Sequence, residues 1–169
     1  MLKYTTAQVT FSEVPDEITL CIEISNCPYH CPECHSKHLW NDVGNELNIE
    51  VLQELIDKNK GITCICFMGG DSDLETLKQL MFSCHLRSDY PYKVAWYTGS
   101  DTFPSDDVLD LLDYIKIGPY KAECGALDNP NTNQRFYARG VTGLKKMSAY
   151  ANMFYDITDR FWKNDTESS

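Results

Sequence analysis

The chain has 169 residues, of which 43% are hydrophobic and 24% are charged, and its formal net charge is −10. This length predicts a single domain over residues 1–169 with a substantial core. The excess of acidic residues argues against nucleic acid as a partner, and the chain has no apolar run long enough to predict a membrane span.

Apolar strands alternate with amphipathic helices over the first two thirds of the chain. We predict strands at 18–24, 62–68, 93–99 and 113–118, and helices at 48–59, from Ser72 and from Ser105. Asn48 is the expected N-cap of the first helix, and Ser72-x-x-Glu75 has the form of a capping box for the second. The alternation indicates parallel strands joined by right-handed crossovers. The expected α/β fold is a short, open partial (βα) barrel with parallel strands and a cysteine-rich loop after its first strand.

The pattern weakens after Gly118. Residues 120–140 are polar and rich in turn residues, which predicts a long ordered loop leading into a short strand. The segment from Val141 is expected to form another strand or an irregular cover, and the tail after about residue 160 is expected to fray. Eight cysteines without an apolar leader at the N-terminus favour a reducing compartment, and we expect the cytoplasm.

The stretch SNCPYHCPECHSKHLW, residues 25–40, contains three cysteines spaced Cys-x3-Cys-x2-Cys: Cys27, Cys31 and Cys34. A cubane iron–sulfur cluster takes one thiolate per iron, so three thiolates leave one iron open, as in a catalytic metal site. A closed Cys3His zinc site is the alternative, with a fourth ligand from His30, His35 or His38. The motif by itself leaves both readings open.

Four other cysteines fall on apolar faces of the predicted elements, where free thiols pack as small hydrophobic groups. They are Cys21, Cys64, Cys66 and Cys84. We predict that they belong to the core rather than to a second metal site.

Further short motifs follow the predicted strands in a fixed order. FMGGD ends the second strand, YTG ends the third, and DYIKIGPY and NTNQR come later. Together with the three-cysteine motif, this series resembles the radical S-adenosylmethionine enzymes and, among them, the activating proteins of anaerobic ribonucleoside-triphosphate reductase. The resemblance spans roughly residues 18–135.

The resemblance implies a definite chemistry. It implies a [4Fe-4S] cluster on Cys27, Cys31 and Cys34, with the amino and carboxylate groups of S-adenosylmethionine chelating the open iron. Reductive cleavage would give methionine and a 5′-deoxyadenosyl radical, which takes a hydrogen from a glycine of the large reductase subunit. A flavodoxin or ferredoxin would supply the electron. The cofactors perform the chemistry, so no side chain is expected to act as a catalytic acid or base.

The resemblance also implies residues that bind S-adenosylmethionine. The bare backbone of Gly69 and Gly70 would approach the methionyl ammonium, since a Cβ would block that approach. Asp71 would aid the ammonium or cap the following helix, and Thr98 would line the ribose or simply end its strand. Glu33 and His35 would lie beside the adenine.

Two positions in this resemblance have more than one interpretation. The wider superfamily often has an aromatic residue where this chain has Glu33, so the adenine contact would come from backbone or from His35. The polar segment Asn133, Gln134 and Arg135 would serve loop structure or partner contact.

The functional alternatives are an activase for another glycyl-radical protein, a small radical enzyme with a different peptide substrate, and a zinc-stabilised interaction module.

Overall fold

The structure is a computed structural model that describes residues 1–87, 92–140 and 154–162. Within these ranges the strands are β1 (Leu2–Thr10), β2 (Thr19–Ile24), β3 (Asn45–Leu47), β4 (Cys64–Met68), β5 (Lys93–Tyr97), β6 (Tyr114–Ile117), β7 (Arg135–Arg139) and β8 (Phe154–Asp156). The helices are α1 (Ile49–Lys58), α2 (Leu74–His85) and the single turn α3 (Asp106–Leu109). Short 3-10 turns lie at Lys37–Leu39 and Thr158–Phe161.

The described strands form one open sheet in the order β3-β1-β2-β4-β5-β6-β7-β8. The central strands β2, β4, β5 and β6 are parallel, whereas β1, β3, β7 and β8 pair antiparallel at the two sides. The two edges β3 and β8 do not pair, so the sheet does not close into a barrel. The prediction of an open α/β architecture with a parallel centre is confirmed.

The central strands are buried on both faces. On one face, here called the helix face, alternate residues such as Ile22, Phe67 and Trp96 pack against α1, α2 and α3. On the other, here called the loop face, Cys21, Cys66 and Ala95 pack beneath residues of the connecting loops, including Val14 and Leu127. Strands buried on both sides read as continuous apolar runs, which is why the sequence marks them clearly.

The N-caps of the helices match the prediction at α1 but not at α2. The Asn48 side chain accepts a hydrogen bond from Val51 N at 2.9 Å, as predicted. At α2 the expected cap Ser72 is wrong, because the helix begins at Leu74 and Asp73 caps it. The Asp73 carboxylate accepts from both the backbone N–H of Thr76, at 3.2 Å, and its hydroxyl, at 2.7 Å, a pair of bonds that Ser72 does not make.

The N-terminal strand β1 was not predicted, so the cysteine-rich loop follows the first parallel strand, which is the second strand of the chain. The loop after Gly118 leads into the short strand β7, as predicted. The predictions for the tail concern residues that lie largely outside the described ranges, although β8 and a 3-10 turn occupy 154–161. No helix in the described part of the chain is long and apolar enough to cross a membrane.

Candidate metal centre

The cysteine-rich loop leaves β2 at the edge where the parallel strands end. Backbone bonds close its neck, since Asn26 N donates to Asn41 O at 3.0 Å and Cys27 N donates to Leu39 O at 2.9 Å. Inside the loop, Cys34 N donates to Cys31 O at 3.1 Å. The carboxyl ends of parallel strands are where α/β folds gather their sites, and this loop lies there.

Each of the three motif cysteines follows a residue in the left-handed region of backbone conformation. The preceding residues are Asn26, with φ 63°, His30, with φ 44°, and Glu33, with φ 58°. Among the described non-glycine residues only Asp16 also has positive φ. This conformation is unfavourable for residues with a Cβ and clusters at functional sites. The loop therefore turns sharply just before every candidate ligand.

The three motif thiols differ from the other cysteines in their surroundings. Cys27, Cys31 and Cys34 are free and half-buried, and all three line one cavity of about 950 Å³. Cys34 Sγ accepts a hydrogen bond from Ser36 N at 3.3 Å. By contrast, Cys21, Cys64, Cys66 and Cys84 are buried in the core, as predicted.

The opposite wall of the cavity comes from the ends of β4 and β5. Gly69, Asp71 and Thr98 line it together with the three cysteines. The Asp71 carboxylate accepts hydrogen bonds from the Thr98 hydroxyl and, at 3.4 Å, from the Tyr29 hydroxyl. Burial raises the pKa of Asp71, and these bonds oppose that rise. Asp71 is therefore directed toward the cavity wall, and it does not cap α2.

Gly69 has φ 112°, and a Cβ at this position would lie 2.9 Å from the carbonyl oxygen of Ile24. The close approach of β2 therefore requires glycine here. The Gly69 carbonyl accepts a hydrogen bond from the indole of Trp96 at 2.9 Å. A carbonyl oxygen has two lone pairs, so this one can accept a second hydrogen bond.

Some of the remaining predicted residues line the cavity and others do not. His35 lines the cavity, and its Nε2 lies 3.0 Å from the hydroxyl of Tyr120. Glu33 is exposed and is not part of the cavity wall. Gly70 is also absent from the wall; its φ is 98°, and a Cβ would come within 3.1 Å of the Leu77 side chain, so helix packing accounts for this glycine. Of the polar segment, Gln134 lines the cavity.

Lys116 is a cavity residue that the sequence analysis missed. It lies in β6, is 8% exposed, and donates hydrogen bonds to the carbonyls of Thr98 and Gly118, both at 3.1 Å. Burial lowers its pKa to about 8. The sequence does contain a signal for this residue, a lysine within the otherwise apolar run YIKI. Burying a charged side chain in a strand is unfavourable unless it has polar partners, so such a lysine indicates a polar site.

Comparison with known proteins identifies the family. The 4Fe-4S single cluster domain family matches residues 18–134, which is most of the chain, and the protein belongs to that family. The match begins just before β2 and ends just before β7, so it includes all three motif cysteines and the ends of β4 and β5 that line the cavity. No curated protein and no solved structure matches the chain significantly.

The donor set suits the 4Fe-4S cluster of the family to which the chain belongs. The thiolates of a cubane bind separate irons, so its ligands need not converge on one ion. The three half-buried thiols lie on a turning loop and line one cavity, where they can serve as such ligands.

Proposed function

We propose that the protein is a radical S-adenosylmethionine activase that generates a glycyl radical on the large subunit of an anaerobic ribonucleotide reductase. The observation that supports this most is the composition of one cavity. Three candidate cluster ligands, a backbone acceptor at Gly69, the carboxylate of Asp71 and the buried ammonium of Lys116 all line it. A cluster that only transferred electrons would need no such polar cavity beside it.

The cavity groups are complementary to the amino-acid end of S-adenosylmethionine. The Gly69 carbonyl and the Asp71 carboxylate are acceptors for the methionyl ammonium, and the Lys116 ammonium is the counter-charge for the methionyl carboxylate. Apart from His35, the described wall of the cavity has one further cationic residue, Arg160, which forms an ion pair with Asp16 at 2.5 Å. A volume of about 950 Å³ is at the upper end of the usual range for ligand pockets, which leaves room for a cluster and a nucleoside.

A bound and reduced cluster would supply the electron for cleavage of the carbon–sulfur bond of S-adenosylmethionine, and the resulting 5′-deoxyadenosyl radical would take hydrogen from the substrate glycine. The chain's own residues would bind and orient these groups. Gly69, Asp71 and Lys116 would fix the methionyl end, while Cys27, Cys31 and Cys34 would hold three of the four irons. We assign no acid or base role to any side chain, because hydrogen-atom abstraction requires none.

The proposal requires two protein partners. A flavodoxin- or ferredoxin-type donor supplies one electron for each cleavage, and the large reductase subunit presents its glycine at the cavity. With such partners, the proposal also implies a cytoplasmic location. An activase for another glycyl-radical protein would use the same cavity, so the identity of the substrate rests on the resemblance of the sequence motifs.

The proposal is tested by reconstituting the protein anaerobically with iron and sulfide and measuring metal content, electron paramagnetic resonance and product formation. We expect four irons and four sulfides per chain, a reduced-cluster signal that changes when S-adenosylmethionine is added, and 5′-deoxyadenosine as a product. With the reductase subunit present, a glycyl-radical doublet should appear. Zinc without acid-labile sulfide would contradict the proposal, and cleavage without a doublet would favour a different protein substrate.

Two cysteine variants make the test specific. Cys31→Ala removes a proposed ligand and should prevent stable cluster assembly and cleavage. Cys66→Ala removes a fully buried core thiol and should retain both, at a cost of about 1–2 kcal/mol in stability. Cleavage that survives in Cys31→Ala would show that the cluster has other ligands.

A further inference from the structure

Trp40, the last residue of the cysteine-rich stretch, has an indole N–H that lacks a hydrogen-bond acceptor among the described residues. Its indole Nε1 is buried and has no hydrogen-bond partner among the residues that the structure describes. Trp40 lines the same cavity as the three motif cysteines. Burying a donor without a partner is unfavourable, so an acceptor is expected to complete this site.

One ring contact and one backbone hydrogen bond of the preceding residue hold the indole against the loop. Its ring stacks on His30, which directly precedes Cys31, with a centroid distance of 4.8 Å and an interplanar angle of 13°. The neighbouring residue Leu39 accepts the backbone bond from Cys27. The indole is therefore held between segments that adjoin two of the proposed ligands.

A neighbouring lysine strengthens the indole N–H as a donor. Lys37 Nζ lies 5.8 Å from the centroid of the Trp40 ring. A cation over the ring face draws electron density from the indole and makes its N–H a stronger donor. An acceptor that fills this cavity and carries negative charge is a thiolate-ligated iron–sulfur cluster, whose sulfurs commonly accept hydrogen bonds.

We propose that the indole N–H of Trp40 donates a hydrogen bond to a sulfur of the 4Fe-4S cluster and thereby raises its reduction potential. The reduced cluster carries one more negative charge than the oxidised form, so a donor near its sulfur stabilises the reduced form more. Trp40 would act with the backbone donor that Ser36 directs at Cys34 Sγ. This inference rests on the proposed cluster ligands and assigns Trp40 a role in tuning the cluster rather than in binding substrate.

The chain offers a matched control for this donor. Trp162 also has a buried Nε1 without a partner in the described ranges, but it is not part of the cavity wall. Trp96 is not suitable, because its indole donates to Gly69 O. Trp40→Phe and Trp162→Phe therefore remove the same group, one inside the site and one outside it, and Phe at position 40 retains a ring to stack on His30.

The first experiment is a redox titration of the reconstituted proteins followed by electron paramagnetic resonance. Trp40→Phe should contain as much iron and sulfide as the unmodified protein but have a lower midpoint potential, whereas Trp162→Phe should have an unchanged one. An equal potential in Trp40→Phe would overturn the inference while leaving the activase proposal intact. Failure of the unmodified protein to form any cluster would instead overturn the proposed function.

If Trp40→Phe does not retain its cluster, a second measurement on the unmodified protein tests the same hydrogen bond. The unmodified protein, labelled with ¹⁵N in its tryptophan indoles, can be reduced and examined by pulsed electron paramagnetic resonance. A hydrogen bond to a cluster sulfur should give a ¹⁵N coupling that is still present in Trp162→Phe. Absence of any indole ¹⁵N coupling would contradict the inference.

Discussion

The ring of Tyr29 lies against the backbone of Gly99 so closely that a Cβ at Gly99 would come within 2.6 Å of the tyrosine Cδ2. Tyr29 lies between Cys27 and Cys31 in the cysteine-rich loop, and Gly99 follows β5. The Tyr29 hydroxyl also reaches Asp71 at 3.4 Å. One aromatic residue thus joins the loop to the ends of β4 and β5, and this contact brings the two walls of the cavity together.

Gly99→Ala tests this contact. The methyl group would displace the Tyr29 ring and the loop with it, at a cost of about 1–3 kcal/mol in stability. We expect weaker cluster retention, measured as iron and sulfide per chain after gel filtration. Adding Tyr29→Ala to the same chain removes the ring that the methyl meets, and should restore part of the loss if the clash is the cause. Equal cluster retention in Gly99→Ala and the unmodified protein would show that the loop does not depend on this contact.

The strained residues before the cysteines allow a prediction at Glu33. Glu33→Gly should keep the backbone turn, because glycine adopts φ near 58° without strain. Relief of strain and the greater flexibility of the unfolded chain oppose each other, so the free energy of unfolding should change by no more than about 1 kcal/mol. Chemical denaturation measures it.

The same variant examines the proposed contact of Glu33 with adenine. Because the Glu33 side chain is exposed and does not line the cavity, the Kd for S-adenosylmethionine should change less than about twofold, or about 0.4 kcal/mol. Glu33→Val retains a Cβ in the strained conformation and should be less stable than Glu33→Gly. A tenfold weaker affinity in Glu33→Gly would mean that the side chain itself contacts the nucleoside.

The sequence predicted the centre of the fold because the physical signal there is strong. The strands β2, β4 and β5 are apolar on both faces, and the Asn48 cap makes a local bond that a short motif can reveal. The strand β1 was missed because only Leu2 among its residues is fully buried, so its sequence lacks the alternation of a half-buried strand. Ser72 and Asp73 are both suitable N-cap residues for α2, and the local sequence does not indicate which side chain reaches the backbone N–H of Thr76.

The candidate site was predictable to a similar extent. Cysteine spacing is a local property, so Cys27, Cys31 and Cys34 could be selected from one loop. Lys116 is some eighty residues further along the chain and joins them only because β6 is the last of the parallel strands. The free indole N–H of Trp40 depends on what surrounds it in three dimensions, and no sequence pattern reports that a donor lacks an acceptor.

Lys116→Gln tests the proposed counter-charge for the methionyl carboxylate. A hydrogen bond to a charged group contributes about 1.5–3 kcal/mol, so the Kd for S-adenosylmethionine should rise about tenfold to a hundredfold while the cluster content stays the same. Equilibrium binding to the reconstituted protein measures this. Lys93→Gln is the matched control, since Lys93 pairs with Glu17 at 2.9 Å and is not part of the cavity wall. An equal Kd in Lys116→Gln and Lys93→Gln would remove Lys116 from the binding site.

Glu17 lies near the beginning of the parallel strands and links several of them through its carboxylate. It is 8% exposed, and its carboxylate accepts hydrogen bonds from Thr63 Oγ1 at 2.5 Å and from the Tyr114 hydroxyl at 2.8 Å. Burial by itself would raise its pKa, but these bonds and the neighbouring Lys93 outweigh burial and lower the pKa below the usual 4.5. Because the folded pKa is lowered, the ionised carboxylate stabilises the fold above pH 4.5, and this contribution is lost as the pH falls through the folded value.

Glu17→Gln should therefore lower the free energy of unfolding at pH 7 by about 1–3 kcal/mol, because a neutral amide replaces a carboxylate that accepts charge-assisted bonds. The deficit should shrink as the pH falls below 4.5, where the unmodified protein protonates the same group. Urea denaturation of the cluster-free protein between pH 7 and pH values of about 3 measures both effects. Lys78→Gln, which breaks the exposed pair with Asp107, should change stability little at any of these pH values. A deficit in Glu17→Gln that stays constant with pH would mean that the loss comes from packing and not from the charge.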